Sequence, residues 1–204
     1  MKKALTFIEV VFVIVIIGIL SAILAPNFKG ESLEKASFQL ASHIRYVQHL
    51  ALLDDKFDST LNNWYKRRWH ISFNGTKYTI GSDLNQDGTI SSNEIAKNPS
   101  NINLLLTGDT SLTGVSSSNY TRKLDLSDKF AIQAINLSSS CANNNNSISF
   151  DYLGRPIKDN SSSETSVYSN TLLHSDCQIK IKDDQGNSAT LTIRAETGYV
   201  DITF

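Results

Sequence analysis

The stretch that decides the reading is Leu5-Thr6-Phe7-Ile8-Glu9-Val10-Val11-Phe12-Val13-Ile14-Val15-Ile16-Ile17-Gly18-Ile19-Leu20-Ser21-Ala22-Ile23-Leu24-Ala25, preceded by Lys2-Lys3-Ala4 and followed by Pro26. As a helix at 1.5 Å per residue, positions 5–25 would extend about 31 Å, enough to cross a hydrocarbon core. Lys2 and Lys3 would then stay on the cytoplasmic side by the positive-inside rule. A cleaved secretory signal fits less well, because the apolar run is long and Pro26 follows the only small-residue site at its end. Glu9 fits neither a signal nor a plain anchor. A lone carboxylate in a membrane helix costs roughly 2.5–3.5 kcal/mol, and such residues are usually functional. Cleavage between Ala4 and Leu5 would give it a partner. The new α-amino group of Leu5 on one chain would meet Glu9 of a neighbour, and two charges costly alone would become a pair.

Working outward, Leu33, Ala36, Leu40, Ile44, Val47 and Ala51 recur at three- and four-residue spacing, the stripe of an amphipathic helix. Glu34, Lys35, Ser42, Arg45 and His49 fall off that stripe, and His43 and His49 read as solvent-facing. Pro26 would kink or loosen the helix. The helix should end at Asp54-Asp55. Trp69, Ile71 and Phe73 alternate with Arg68, His70 and Ser72, and Asn74-Gly75 signals a hairpin with a return strand at Tyr78 and Ile80. Further strands are expected at 130–137, 147–152, 177–182, 189–195 and 199–204. The polar segments 98–128, 138–146 and 158–171 read as loop-rich.

These residues carry a resemblance. Lys2-Lys3-Ala4-Leu5-Thr6-Phe7-Ile8-Glu9 resembles the cleavage and methylation motif of type IV pilins and of type II secretion pseudopilins, with Ala4 where the family usually has Gly and Leu5 where it usually has Phe. Ser149-Phe150-Asp151-Tyr152-Leu153-Gly154-Arg155-Pro156 and the hairpin around Glu196-Thr197-Gly198 are similar to elements of the H-type minor pseudopilins. The resemblance implies an α+β fold: a long N-terminal helix, half in the membrane and half amphipathic, packed on an antiparallel β-sheet head. It implies a leader at 1–4, a helix at 5–53 with 5–25 transmembrane, and a periplasmic head at 54–204. It implies cutting by a prepilin peptidase, N-methylation of Leu5, and assembly through Glu9 with other pilin or pseudopilin subunits. The chain would sit in the bacterial inner membrane as a single-pass protein, N-terminus cytoplasmic, before extraction into a filament that serves protein secretion. A minor pilin active in DNA uptake or surface adhesion is the alternative.

Three other features bear on function. Asp83-Leu84-Asn85-Gln86-Asp87-Gly88-Thr89-Ile90-Ser91-Ser92-Asn93-Glu94 fits a twelve-residue calcium loop. Asp83, Asn85, Asp87, Thr89, Ser91 and Glu94 stand at the ligand places and Gly88 at the turn. The expected ion is a structural Ca2+ bound in a head loop at 83–94. Trp64-Tyr65-Lys66-Arg67-Arg68-Trp69 is a basic-aromatic cluster in which Lys66, Arg67 and Arg68 would meet phosphates if DNA were bound. A strand with solvated charges and Trp69 in the core is the favoured reading. Cys141 and Cys177 lie outside any metal-binding pattern, and a disulfide between them in an oxidising compartment is the favoured reading over two unrelated buried thiols. The formal net charge of −1 gives no basic excess over the 204 residues to argue for nucleic acid. Neither a serine-hydrolase elbow nor a glycine-rich phosphate loop is present, and an enzyme is not expected.

Overall fold

The computed structural model describes residues 6–24, 27–87, 90–141, 146–158 and 172–204. Two helices open the chain, α1 (Phe7–Leu24) and α2 (Asn27–Leu53). Ten strands follow: β1 (Trp69–Asn74), β2 (Lys77–Ser82), β3 (Lys97–Asn98), β4 (Asn101–Leu105), β5 (Ile132–Leu137), β6 (Ser147–Phe150), β7 (Pro156–Lys158), β8 (Cys177–Asp183), β9 (Ser188–Ile193) and β10 (Val200–Thr203). A short helix, α3 (Leu126–Phe130), precedes β5.

The expected single helix over 5–53, with a membrane half, packed on one sheet, is therefore corrected. Helix α1 stops at Leu24 and α2 begins at Asn27, with Ala25 and Pro26 outside the described residues. Among the described residues no helix is long and apolar enough to cross a membrane. The physical reason is length. The eighteen residues of α1 rise about 27 Å, short of a hydrocarbon core of roughly 30 Å. Helix α2 carries Glu34, Lys35 and Arg45 and cannot make up the difference. The expectation of a single-pass inner-membrane protein falls with the spanning helix.

Among the described residues the strands form three antiparallel sheets. One has the order β2-β1-β6-β7, a second β10-β9-β8-β5, and β3 pairs with β4 in a ribbon. Helix α2 packs across both four-stranded sheets, burying Leu33, Ala36, Leu40, Ile44, Val47 and Ala51 against Ile71, Ile148, Ile179, Leu191, Ile193 and Val200. Each such aliphatic side chain contributes about 1.5–3 kcal/mol by leaving water. Strand β8 alternates buried and exposed from Cys177 to Asp183, as one face against a helix and one in water require. Cys177 on that strand is joined by a disulfide to Cys141, Cα atoms 5.1 Å apart, with both residues fully buried.

The segment 98–128, expected to be loop-rich, runs along the free edge of β2. The N–H of Ile80 donates to Leu106 O (2.9 Å), that of Ala96 to Ile80 O (2.9 Å) and that of Gly108 to Tyr78 O (3.0 Å). Glycine is required at 108, where a Cβ would lie 2.3 Å from the carbonyl carbon of Leu124. Arg68 and His70, expected to be solvated, are buried, and Trp69, expected in the core, is only half-buried.

Gln48 on α2 ties the two late turns together. Its Nε2 donates to Gly154 O (2.7 Å) and Thr197 O (2.9 Å). The first turn is closed by Arg155, whose Nε donates to the buried Asp151 carboxylate at 2.8 Å. The second contains Gly198 at φ +68°, where a Cβ would lie 2.6 Å from Gln48 Nε2 and 2.8 Å from Gly154 O. Gly198→Ala should lower unfolding stability by about 2 kcal/mol or more, from left-handed strain plus the lost clamp. Urea denaturation of the two proteins checks this, with the midpoint falling and the slope unchanged.

Candidate functional site

The surface of α1 is apolar on every side and uncovered. Phe7 is 86 % exposed, Ile8 74 % and Phe12 67 %, and Ile14, Ile17, Ile19 and Leu20 are also exposed. Ala4 and Leu5, the expected processing site, lie outside the described residues. Glu9 is exposed in the first turn and makes a local bond that sequence reasoning passed over. Its Oε2 accepts from the Thr6 N–H (3.3 Å) and hydroxyl (3.4 Å), while the Thr6 carbonyl accepts from the N–H groups of Glu9 and Val10. Thr6-x-x-Glu9 is one half of a capping box, and that spacing was the missed signal. Glu9 thus has a structural role within its own chain, and its charge favours the helix N-terminus.

In the loop 83–94, Asp83 and Glu94 are 5 % and 3 % exposed. The N–H of Asp87 donates to Asp83 Oδ1 (3.2 Å) and to Asn85 Oδ1 (3.0 Å). Glu94 spreads its two oxygens across the loop. Oε1 accepts from the N–H of Asn85 (3.1 Å), and Oε2 from the N–H (2.9 Å) and hydroxyl (2.8 Å) of Ser91. Burial works against the charged form of Glu94, yet these donors, with the Leu84 N–H, outweigh it and hold the carboxyl below its usual range. The loop is anchored by the Glu94 carbonyl on the Ser82 N–H (3.0 Å) and by Gln86 Nε2 on Asn63 O (3.2 Å). Gly88 and Thr89 lie outside the described residues. Among those described, no three His, Cys, Asp or Glu side chains gather as a metal-binding group. The structure therefore does not display the calcium centre expected from the spacing. The donor set is all hard oxygen, which suits Ca2+, but the carboxylates are turned toward backbone N–H groups.

The basic-aromatic cluster is likewise rearranged by the fold. Trp64–Arg67 forms a 3-10 turn in which Tyr65 is buried, and the guanidinium of Arg68 sits 5.7 Å from its ring. Lys66 and Arg67 are half-buried. The Ser82 hydroxyl donates to Arg67 O (2.6 Å), fixing the turn on β2. The three cations thus do not line up as a surface track for phosphates.

His43, expected to face solvent, is drawn inward instead. Its Nδ1 lies 2.7 Å from the hydroxyl of the buried Tyr78. Gln39 Nε2 donates both to that hydroxyl (2.9 Å) and to Lys123 O (2.8 Å). Burial pushes the imidazole pKa down to about 4 and the Tyr78 phenol well above its usual value. The bonds of Gln39 and His43 to the Tyr78 hydroxyl pin α2 to β2.

No family model, no curated protein and no solved structure matches the chain.

His43 makes stability depend on pH. Its folded pKa lies below the unfolded value of roughly 6.5, so its contribution is complete above pH 6.5 and is lost as pH falls from 6.5 toward 4. The loss should be on the order of 3 kcal/mol across that window, and His43→Gln should flatten it. Denaturant unfolding at a series of pH values measures both slopes.

Proposed function

We propose that this chain is a structural subunit of a type IV pilin-like filament, of the pseudopilin kind that serves type II protein secretion. The observation that carries the reading is α1. A helix apolar on all faces needs apolar company all round. Packing α1 helices of many copies side by side supplies it, leaving the β-rich heads outside. The resemblance of Lys2-Lys3-Ala4-Leu5-Thr6-Phe7-Ile8-Glu9 to the processing motif gives the assembly chemistry. Cutting after Ala4 frees the Leu5 amine, and Glu9 of an adjacent copy neutralises it in the filament core.

The capping bond of Glu9 makes a discriminating test available. Glu9→Gln keeps an acceptor for the Thr6 N–H but removes the charge, whereas Thr6→Ala weakens the cap and keeps the charge. Assembly through an ion pair predicts that Glu9→Gln lowers filament yield by about tenfold or more, since an unpaired buried cation costs several kcal/mol. Thr6→Ala should lower it far less. Electron microscopy and cross-linking of the full chain, with mass spectrometry of its N-terminus, provide the readout. Equal assembly by Glu9→Gln and the parent chain overturns the ion-pair reading.

We also propose that the loop 83–94 is a clip ordered by Ca2+. Binding would exchange the N–H donors on Glu94 for the ion, with Asp83, Asn85, Asp87 and Ser91 as further oxygen ligands and the Thr89 carbonyl at its expected place. Millimolar Ca2+ should raise the melting temperature of the full chain by a few degrees, as mass action requires of any ligand of the folded state. Glu94→Gln should abolish the rise. An unchanged melting temperature in the parent chain removes calcium from the account.

A further inference from the structure

A groove of about 550 Å3 opens between α2, the β3–β4 ribbon and the 3-10 turn Arg122–Leu124. Its size lies in the range of small-molecule sites, and nothing in the assembly chemistry of α1 uses it. Of the leucines lining it, Leu104 is part-exposed, while Leu106 and Leu124 are buried and present almost no surface to it. The wall is polar and neutral, with His43 from α2 and Asn101 from the ribbon. The rim carries Arg122 and Lys123. Among the described residues lining the groove there is no carboxylate.

The hydrogen bonds settle what the wall offers. Gln39 spends its amide protons on the Tyr78 hydroxyl and Lys123 O. The hydroxyl, already accepting from Gln39, is free to give its own proton to His43 Nδ1. The ring is neutral at pH 7, so this assignment from the network leaves Nε2–H as the donor His43 can present. The same Gln39 bond holds the backbone of Lys123 against α2. Arg122 is committed to Asp128, with Nη2 2.8 Å from Oδ1 and a second bond from Nε. No ion pair of Lys123 is present among the described residues. The groove therefore combines one part-exposed leucine, a fixed neutral N–H donor and one uncommitted cation.

A monoanion on an apolar body matches that combination. A phosphate dianion would want a second uncommitted cation. A neutral sugar would leave Lys123 unmatched and set hydroxyl groups against leucine side chains. A carboxylate accepts from both an ammonium and an imidazole N–H, and such charge-assisted bonds are the strong ones. We propose that this groove binds the free C-terminal end of an apolar peptide, its carboxylate on Lys123 and the His43 Nε2–H and its last side chain beside Leu104.

The test uses the full chain, held in a neutral detergent that covers α1, and the peptide acetyl-alanyl-alanyl-leucine as free acid and as amide. Binding is read by calorimetry and by the His43 ring signals in NMR. The acid should bind about tenfold tighter than the amide, the worth of one charge-assisted hydrogen bond. Lys123→Ala, an exposed change that leaves the core intact, should cut the difference between acid and amide to about two- to threefold, and Lys123→Glu should reverse it. His43→Phe should weaken the acid several-fold and the amide less. Equal affinity of the two peptides, no heat or shift at about 10 mM peptide, or tighter binding of a neutral disaccharide each overturns the proposal.

Discussion

The fold depends on the burial of one stripe of α2. Leu33, Ala36, Leu40, Ile44, Val47 and Ala51 are buried on the helix that packs against strands of both four-stranded sheets. Everything polar on that helix is then placed by the same rotation. Gln39 and His43 face the Tyr78 side, Arg45 reaches Val200 O at 2.8 Å, and Gln48 faces the two late turns. One hydrophobic seam thus sets where four polar contacts fall, and Gln39 and His43, beside Leu40 and Ile44 on the helix, line the side groove.

The parts of the fold that were legible in the sequence are those specified by apolar periodicity. The α2 stripe shows a 3.6-residue repeat, and β8 and β9 alternate strictly, so side-chain pattern alone locates them within a residue or two. The ribbon β3–β4 and the edge beside β2 follow a different rule. They are held by backbone bonds and by buried hydroxyls, such as Thr79 Oγ1 on Thr107 Oγ1 at 2.6 Å and Thr121 Oγ1 on Leu105 O at 2.6 Å. A chain rich in Ser, Thr and Asn reads as loop when its hydroxyls are in fact core contacts. The alternation from Arg68 to Phe73 did not forecast burial either, since Arg68 and His70 are buried and Trp69 is half-exposed.

Site features divide along a similar line. The oxygen-rich spacing of 83–94 is plain in the sequence, but whether its carboxylates converge is decided by backbone donors that no spacing rule encodes. The apolar run covers twenty-one residues, whereas α1 has eighteen, and among the described residues no helix is long and apolar enough to cross a membrane. Glu9 was singled out for its cost among apolar neighbours, and its nearest partner proved to be the backbone three residues before it.

The link between Cys141 and Cys177 closes a 36-residue separation in sequence that includes β6, β7 and the Asp151–Arg155 turn. A protease that severs the chain once anywhere inside that circle leaves a nicked molecule that is still one covalent body. Its two new ends would stay attached through the β8 cystine, so a cut there would be invisible by mass on a non-reducing gel and would appear only after thiol treatment.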